Sequence, residues 1–310
     1  MNPEFSVVIA TRNRARALTR CLAAIARMDG SVPFETIVVD NGSSDDTRAS
    51  VERASGGLRD VNYLFEPEPG ASRARNRGIE AVRAPFLVFL DDDAEPTPGW
   101  LQALHRAFAE TDAAAVGGPI LARFEVEPPP WLGGLLRVLS AQDFGGTRRA
   151  IDGEPYLFGG NLAVRRDDLA KIGGFDETLG PRAGAFFLGE DTDICERLLD
   201  EGRSLLYEPA AIVYHWISEE RYVPAYLRQR ALGTGQSIAR KMGRRLSRAT
   251  RIRTVAAKTA KLPFHLGMWL GSRLLGEQEA TVLRERSLLI TLGILRETFA
   301  SAAAERRRRS

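Results

Sequence analysis

Cysteine is nearly missing from this chain: its 310 residues contain only Cys21 and Cys195. Each falls at an apolar position of a helix-like pattern, so two core thiols are expected, with no disulfide framework and no cysteine metal site. Two glycine signatures are absent as well. The turn after the first apolar run reads ATRNR rather than Gly-x-Gly-x-x-Gly, and no Gly-x-x-x-x-Gly-Lys-Ser/Thr occurs anywhere. Without those glycines the usual scaffolds for dinucleotide binding and P-loop chemistry are excluded, and any nucleotide must be held differently. The opening MNPEFSVVIATRNR has no basic start followed by a long apolar segment. No secretory signal or transit peptide is therefore expected, and the reading is of a cytoplasmic protein. No internal repeat with a period of about 20 to 50 residues occurs.

Acidic residues are missing from one long stretch: between Arg221 and Gly276 there is no Asp or Glu. Residues 221–310 carry 20 Lys and Arg against 5 Asp and Glu, whereas residues 1–220 carry 23 against 35. The small overall charge of +3 thus conceals two parts of opposite sign. Such a basic block points to an anionic partner, phospholipid head groups or nucleic acid, although the closing ERRRRS also fits a solvated tail. The basic residues lack the interleaved aromatic platforms that grip single strands, which argues against nucleic acid.

With 44% hydrophobic and 27% charged residues, the chain can bury a sizeable core. FSVVIA is a β-rich apolar run, and Leu18, Cys21, Leu22, Ile25 and Met28 behind it have helical spacing. ETIVVD, closed by Asn41-Gly42, predicts a second strand, and DDTRASVERAS a polar helix. VNYLFEP and FLVFL repeat the theme around GASRARNRGIEAV, where Ala74, Ile79 and Val82 mark a buried helical edge. PTPGWLQALHRAF reads as a helix with prolines near its first turn, and AAAVGGPIL as a fifth strand. This alternation over about 120 residues predicts an α/β fold: an open, Rossmann-like, mostly parallel sheet with helices on both faces.

In such sheets ligands bind beyond the carboxyl ends of the strands, near the point where strand order reverses. Thr11 follows the first strand, Asp40 ends the second, and Asp91, Asp92 and Asp93 end the fourth, so three polar clusters are expected on one edge. Adjacent carboxylates repel one another. Hard oxygen ligands so crowded suit Mg2+ or Mn2+ beside phosphate oxygens; the alternative is a solvated turn in which one Asp caps the next helix. Further on, EVEPPPWLGG is a break and FGGNLAVRR a loop entering a strand. In GEDTDICERLLDEG, Ile194, Cys195, Leu198 and Leu199 form an apolar helix face. That sets Glu190 and Asp191 at the N-terminal end, where the helix dipole favours carboxylates.

Taken in order, SVVIATRNR, TIVVDNGSSDDT, GASRARNRGI, FLVFLDDDAEPTPGWL, FGGNLAVRR, GGFDE and LGEDTDICERL resemble the motifs of the family 2 glycosyltransferases of the GT-A fold. The similarity runs over roughly residues 4–216, and its specificity lies in the ordered set. The resemblance implies a nucleotide-sugar donor, a UDP-sugar as first guess, a divalent cation (Mn2+ or Mg2+), and an inverting transfer to an acceptor hydroxyl. The setting it implies is synthesis of a cell-surface polysaccharide, glycolipid or other glycoconjugate. It implies roles too. Asp40 resembles the residue that binds the base, with Thr11 beside it, and Arg75 the one that reaches base or phosphate. Asp91 and Asp93 look like the outer members of the Asp-x-Asp motif, Asp91 toward ribose or donor sugar as well as metal and Asp93 most directly toward metal. Asp92 is left to shape the turn. Asn161 would lie against donor sugar or acceptor, and Asp191 resembles the general base, with Glu190 supporting acceptor or helix end. His215 would complete the metal sphere, or else is a packed histidine after an apolar strand. A nucleotidyltransferase, and a non-catalytic protein binding nucleotide-sugar or nucleic acid, are the alternatives.

The expected division is residues 1–220 as catalytic domain, with a nucleotide-binding half 1–120 and an acceptor-binding half 121–220, then a basic, mainly α-helical extension over 221–310. In that extension KLPFHLGMWLGSRLL, Lys261 to Leu275, is apolar but includes His265 and Arg273. Crossing a bilayer takes about 20 predominantly apolar residues, so the segment reads as an interfacial or packed helix. VLRERSLLITLGILRETF has similar mixed character. One expectation is peripheral attachment to the cytosolic face of an anionic membrane, with access to a lipid-linked acceptor. The other is a helical appendage that packs on the catalytic domain or makes an oligomer.

Overall fold

The structure, a computed structural model, describes residues 2–58, 60–182 and 185–309. The chain forms two compact units. The first comprises Met1–Glu125, Leu136–Glu177 and Glu190–Ile217, and the second Val126–Leu135, Thr178–Gly189 and Ser218–Ser310. Two short segments from the middle of the chain thus belong with the C-terminal helices rather than with the sheet.

The chain opens β1 (Phe5–Thr11), α1 (Ala15–Ala26), β2 (Phe34–Asp40), α2 (Thr47–Ala54), β3 (Val61–Phe65), α3 (Ala71–Ile79) and β4 (Phe86–Leu90). It continues β5 (Ala94–Pro96), α4 (Trp100–Glu110), β6 (Ala115–Gly117), β7 (Ile120–Phe124), β8 (Arg149–Ile151), β9 (Asn161–Arg165) and α5 (Arg166–Lys171). Then come β10 (Pro181–Arg182), β11 (Ala185–Phe186), α6 (Glu190–Asp200), β12 (Leu205–Tyr207) and β13 (Val213–Ile217). The large sheet has the order β3-β2-β1-β4-β9-β6-β12-β8. Its first four strands are parallel. β9 then enters antiparallel to both β4 and β6, while β12 is parallel to β6 and antiparallel to β8.

Side chains alternate across a strand, and here both faces are apolar, as burial by helices on each side requires. Val7, Ile9, Val38, Val88 and Leu90 meet Leu18, Leu22 and Ile25 of α1 and Leu101 and Leu104 of α4 in one core. Val8, Leu87, Phe89, Leu162 and Val164 face the other way, onto Leu169 of α5 and Ile194 and Leu198 of α6. Each such aliphatic side chain contributes about 1.5–3 kcal/mol when fully buried. Gly78 lets α3 lie directly on the sheet: a Cβ there would fall 2.5 Å from Val8 Cγ1. Cys21 and Cys195 are both fully buried core thiols, as expected.

Two local expectations change. AAAVGGPIL is two strands, β6 in the large sheet and β7 in a small sheet of order β5-β13-β7. Gly118 and Pro119 break the run, Pro119 because it has no N–H to give a ladder. The prolines of PTPGWLQALHRAF precede α4, which starts at Trp100.

The second unit carries α7 (Pro224–Arg245), α8 (Arg248–Ala260), α9 (Leu262–Leu274) and α10 (Gln278–Arg309). α7 and α10 pack backbone to backbone through glycine: a Cβ on Gly235 would meet Ile290 O at 2.0 Å, and one on Gly293 would meet Leu232 O at 2.2 Å. Arg228–Glu285 (2.9 Å) and Arg240–Glu297 (2.7 Å) flank this contact. VLRERSLLITLGILRETF is therefore a packed helix. The side chains of the terminal arginines lie outside the described residues. Among the described residues, no helix is long and apolar enough to cross a membrane.

Candidate active site

Strand order reverses at β1, whose neighbours are β2 and β4, so the ends of all three open onto one edge. Thr11 and Asp40 are register partners there. Asp40 is nearly buried and accepts from Ser43 N and from the Tyr63 hydroxyl, both at 2.8 Å. Burial and the Asp40 charge push the Tyr63 hydroxyl up to about 12. The loops around Asp40 are pinned by two asparagines. Asn13, at φ 52, accepts from Ser44 N at 2.7 Å, and Asn41 donates to Glu66 O and Glu68 O while accepting from Gly70 N.

The turn after β4 divides its three carboxylates. Asp92 accepts from Thr11 Oγ1 at 2.7 Å and from Arg14 Nη1 at 2.6 Å. Arg14 Nη2 reaches Asp93 Oδ2 at 2.8 Å, so one guanidinium spans two carboxylates. Burial opposes the Arg14 charge, but Asp92 and Asp93 outweigh it and hold Arg14 protonated above its usual range. Burial pushes the Asp92 carboxyl up to about 6; Arg14 and Thr11 oppose that shift, and the charges of Asp93 and Asp91 add to it. β13 pairs with β5 so that His215 stands opposite Ala94, which brings His215 Nε2 to 3.3 Å from Asp93 Oδ2.

Asp91 turns another way. Its Oδ1 receives Arg75 Nη2 at 3.1 Å, and Arg75 Nη1 donates to Glu190 Oε1 at 2.8 Å. Arg75, on α3 and over the face of Phe175, thereby ties the end of β4 to the first residue of α6. Burial and the adjacent Asp191 charge push Glu190 up, against Arg75. Asp191 Oδ1 accepts from Thr192 N at 2.7 Å and Oδ2 from Gly159 N at 2.9 Å. The glycines of FGGN make this approach feasible: a Cβ on Gly160 would meet Asp91 Oδ2 at 2.8 Å, and one on Gly159 would meet Asp191 Cβ at 3.1 Å.

The donor set can be tested against a divalent cation. Asp93 and His215 present a carboxylate and an imidazole together, both almost fully buried, which suits Mn2+. Among the described residues, no group of three or more His, Cys, Asp or Glu has the geometry to hold a metal. The expected set of Asp91, Asp93 and His215 is thus not assembled as a three-residue group. Two protein donors still fit an ion of the Mg2+ or Mn2+ kind, which commonly takes its remaining ligands from water and phosphate.

The profile described as glycosyl transferase family 2 matches residues 6–173, more than half of the chain. The chain belongs to this family. Over 263 residues it is 30% identical to succinoglycan biosynthesis protein ExoM of Rhizobium meliloti, covering 81% of this chain and 79% of that protein. Pre-mycofactocin glycosyltransferase of Mycobacterium tuberculosis is 31% identical over 216 residues, covering 68% of this chain. The chain spans only 42% of that relative's length. Solved structures share the fold at lower identity. Mannosyltransferase PcManGT of Pyrobaculum calidifontis, in complex with GDP-Man and Mn2+, has a TM-score of 0.67 at 19% identity, covering 95% of this chain and 88% of that one. S. aureus TarS 1-349 in complex with UDP-GlcNAc has a TM-score of 0.57 at 15% identity, with coverages of 92% and 90%. The GT-A architecture is the one the ordered motifs implied.

Within this family 2 fold, Asp91, Arg75, Glu190 and Asp191 form one cluster, Thr11 joins Asp92, and Asp93 joins His215. Asn161 is placed differently from its expected position against a sugar. It is fully buried, its Oδ1 accepts from Trp100 Nε1, and its Nδ2 donates to Pro119 O and Ala211 O. That amide fastens β9 to its neighbours. Sequence reasoning missed Arg14, Tyr63 and the Gly159 N–H. Arg14 was in view as the last residue of ATRNR, but its partners lie 78 and 79 residues away. Tyr63 was in view in VNYLFEP, with nothing local to pair it with Asp40.

Proposed function

We propose that this chain transfers a sugar from a nucleoside-diphosphate sugar to an acceptor hydroxyl, with inversion at the anomeric carbon and Asp191 as base. The observation that carries the reading is the Asp191 carboxylate, held by two backbone N–H groups beside the Gly160–Asp91 contact and the Arg75 bridge. Those donors fix the carboxylate's direction and leave lone pairs on both oxygens for an incoming hydroxyl. As the acceptor oxygen attacks the anomeric carbon, Asp191 takes its proton; a base so placed contributes about 10²–10⁴-fold. Attack from the face opposite the leaving diphosphate gives inversion.

Asp40 and Thr11, at the ends of β2 and β1, are the groups we assign to the base and ribose side of the donor, and Asp91 with Arg75 to the sugar and phosphate side. Asp93 and His215 would hold a divalent cation, Mn2+ or Mg2+, whose chemistry when bound is to neutralise charge on the departing diphosphate. Arg75 and Arg14 fix the carboxylates around that position. A UDP-sugar is the first donor to test, and the GDP-Man and UDP-GlcNAc carried by the two structural neighbours support a nucleotide sugar in general. The ExoM relative supports a polysaccharide or related glycoconjugate as the setting.

Asp191→Asn is expected to lower transfer at least 100-fold while donor binding stays within a few-fold of wild type. NMR of the product linkage is expected to show inverted configuration. Retained configuration, or near-normal turnover by folded Asp191→Asn protein, would make the base assignment wrong.

A further inference from the structure

The outward side of α9 is built the wrong way round for a surface helix. The side chains it turns inward are Leu262, His265, Trp269 and Ser272, at spacings of three and four, and only Ser272 is fully buried. Its exposed side carries Phe264, Leu266, Met268, Leu270, Leu274 and the following Leu275, with Phe264 67% and Leu274 86% exposed. No Lys, Arg, Asp or Glu lies between Leu262 and Ser272 to break that surface. Exposed apolar surface this continuous marks an interaction site rather than scattered surface residues.

The charge around it says what covers it. α8 leads straight into α9 and bears Arg248, Arg251, Arg253 and Lys258, with Lys261 at the junction, and from Arg221 to Gly276 there is no carboxylate. Two of the acidic residues of α10 are used within the unit, Glu285 on Arg228 and Glu297 on Arg240. A second copy presenting the same face would bring two uncompensated positive surfaces together, which like-charge repulsion disfavours. Nucleic acid would match the charge but leave the leucines in water. A bilayer surface with anionic head groups satisfies both, since apolar side chains enter the acyl boundary while Lys and Arg stay at the phosphates.

We propose that α8 and α9 form a membrane-docking surface that lays the apolar side of α9 into the interface of an anionic phospholipid bilayer. Among the described residues no helix is both long and apolar enough to span, so the attachment proposed is peripheral and reversible. The inference stands independently of the transfer reading.

Flotation of the full chain with vesicles of phosphatidylcholine alone, or with phosphatidylglycerol added, tests it at low and high salt. Binding is expected only to the anionic vesicles, and weakened by salt. Leu270→Glu/Leu274→Glu is expected to lower the partition constant at least about tenfold with unchanged far-UV circular dichroism. Lys258→Glu/Lys261→Glu, which touches no apolar side chain, is expected to cost roughly fivefold per charge removed. Sugar-nucleotide turnover in vesicle-free solution is expected to stay at the wild-type level in both. Absence of wild-type binding, equal binding to neutral vesicles, or equal binding by the leucine variant would overturn the proposal. So would light scattering that shows a dimer abolished by the leucine variant without vesicle binding.

Discussion

At the end of β4, Asp92 and Asp93 are almost out of water, and each has a donor from elsewhere in the chain against it: Thr11, Arg14 and His215. On α9, five large apolar side chains lie in water on the outward side of the helix. Burying charge is costly unless it is paired, and exposing apolar surface is costly unless something covers it. The sheet unit meets its cost internally, with a guanidinium drawn from the loop after β1. The helical unit leaves that apolar surface exposed. The first arrangement suits a site that must exist before its ligand arrives, and the second suits a surface used only in company.

Removing the internal partner is the most direct way to break this contrast. Arg14→Ala leaves two buried carboxylates facing each other and is expected to cost about 3 kcal/mol in urea unfolding, the scale for stripping one member of a buried pair. If the Asp93–His215 pair takes a cation, millimolar Mn2+ is expected to restore part of that loss. A loss within error of zero would mean Arg14 does not offset the carboxylates. A second measurement sharpens the same side. The Asp92 carboxyl is pushed up to about 6, above its unfolded value of about 4, so the folded protein binds more protons in that window. Its contribution to stability is fully present below about pH 4 and is lost as pH rises through about 6. Asp92→Asn is therefore expected to lose the downward slope of stability between those values; an unchanged slope would assign it to other groups. The smallest effect belongs to the other side. Leu274→Ser, at a site with nothing buried, is expected to change stability by no more than about 0.5 kcal/mol. A loss near that of a core leucine, about 2–5 kcal/mol on truncation, would show that α9 is covered within the chain after all.

These features differ in how far the sequence reveals them. The strands were readable because both sheet faces are buried, which writes them as continuous apolar runs, and FSVVIA, ETIVVD and FLVFL became β1, β2 and β4. The helix faces were readable because Leu18, Cys21, Leu22 and Ile25 repeat with helical period, and all four are buried. The carboxylate edge followed from strand ends alone. What depended on distant pairing was not legible. Arg14 looks like any loop arginine until β4 folds beside β1, and Asn161 looks available until Trp100 and two carbonyls consume its amide. AAAVGGPIL is apolar throughout, so periodicity could not reveal that Gly118 and Pro119 send its two ends into different sheets. The C-terminal helices were ambiguous for the same reason. Only packing separates α10, locked on α7 through Gly235 and Gly293, from α9, whose outer side is open.

The central claim, sugar transfer at the β1–β2–β4 edge, is tested most directly by nucleoside diphosphate release. UDP-, GDP- and dTDP-sugars would be presented to wild-type and Asp93→Ala protein with Mn2+ or Mg2+. One donor class is expected to be turned over in a cation-dependent manner by the wild type, with Asp93→Ala slower by at least about 100-fold. Release from no donor under any cation, or equal release by the two proteins, would contradict it.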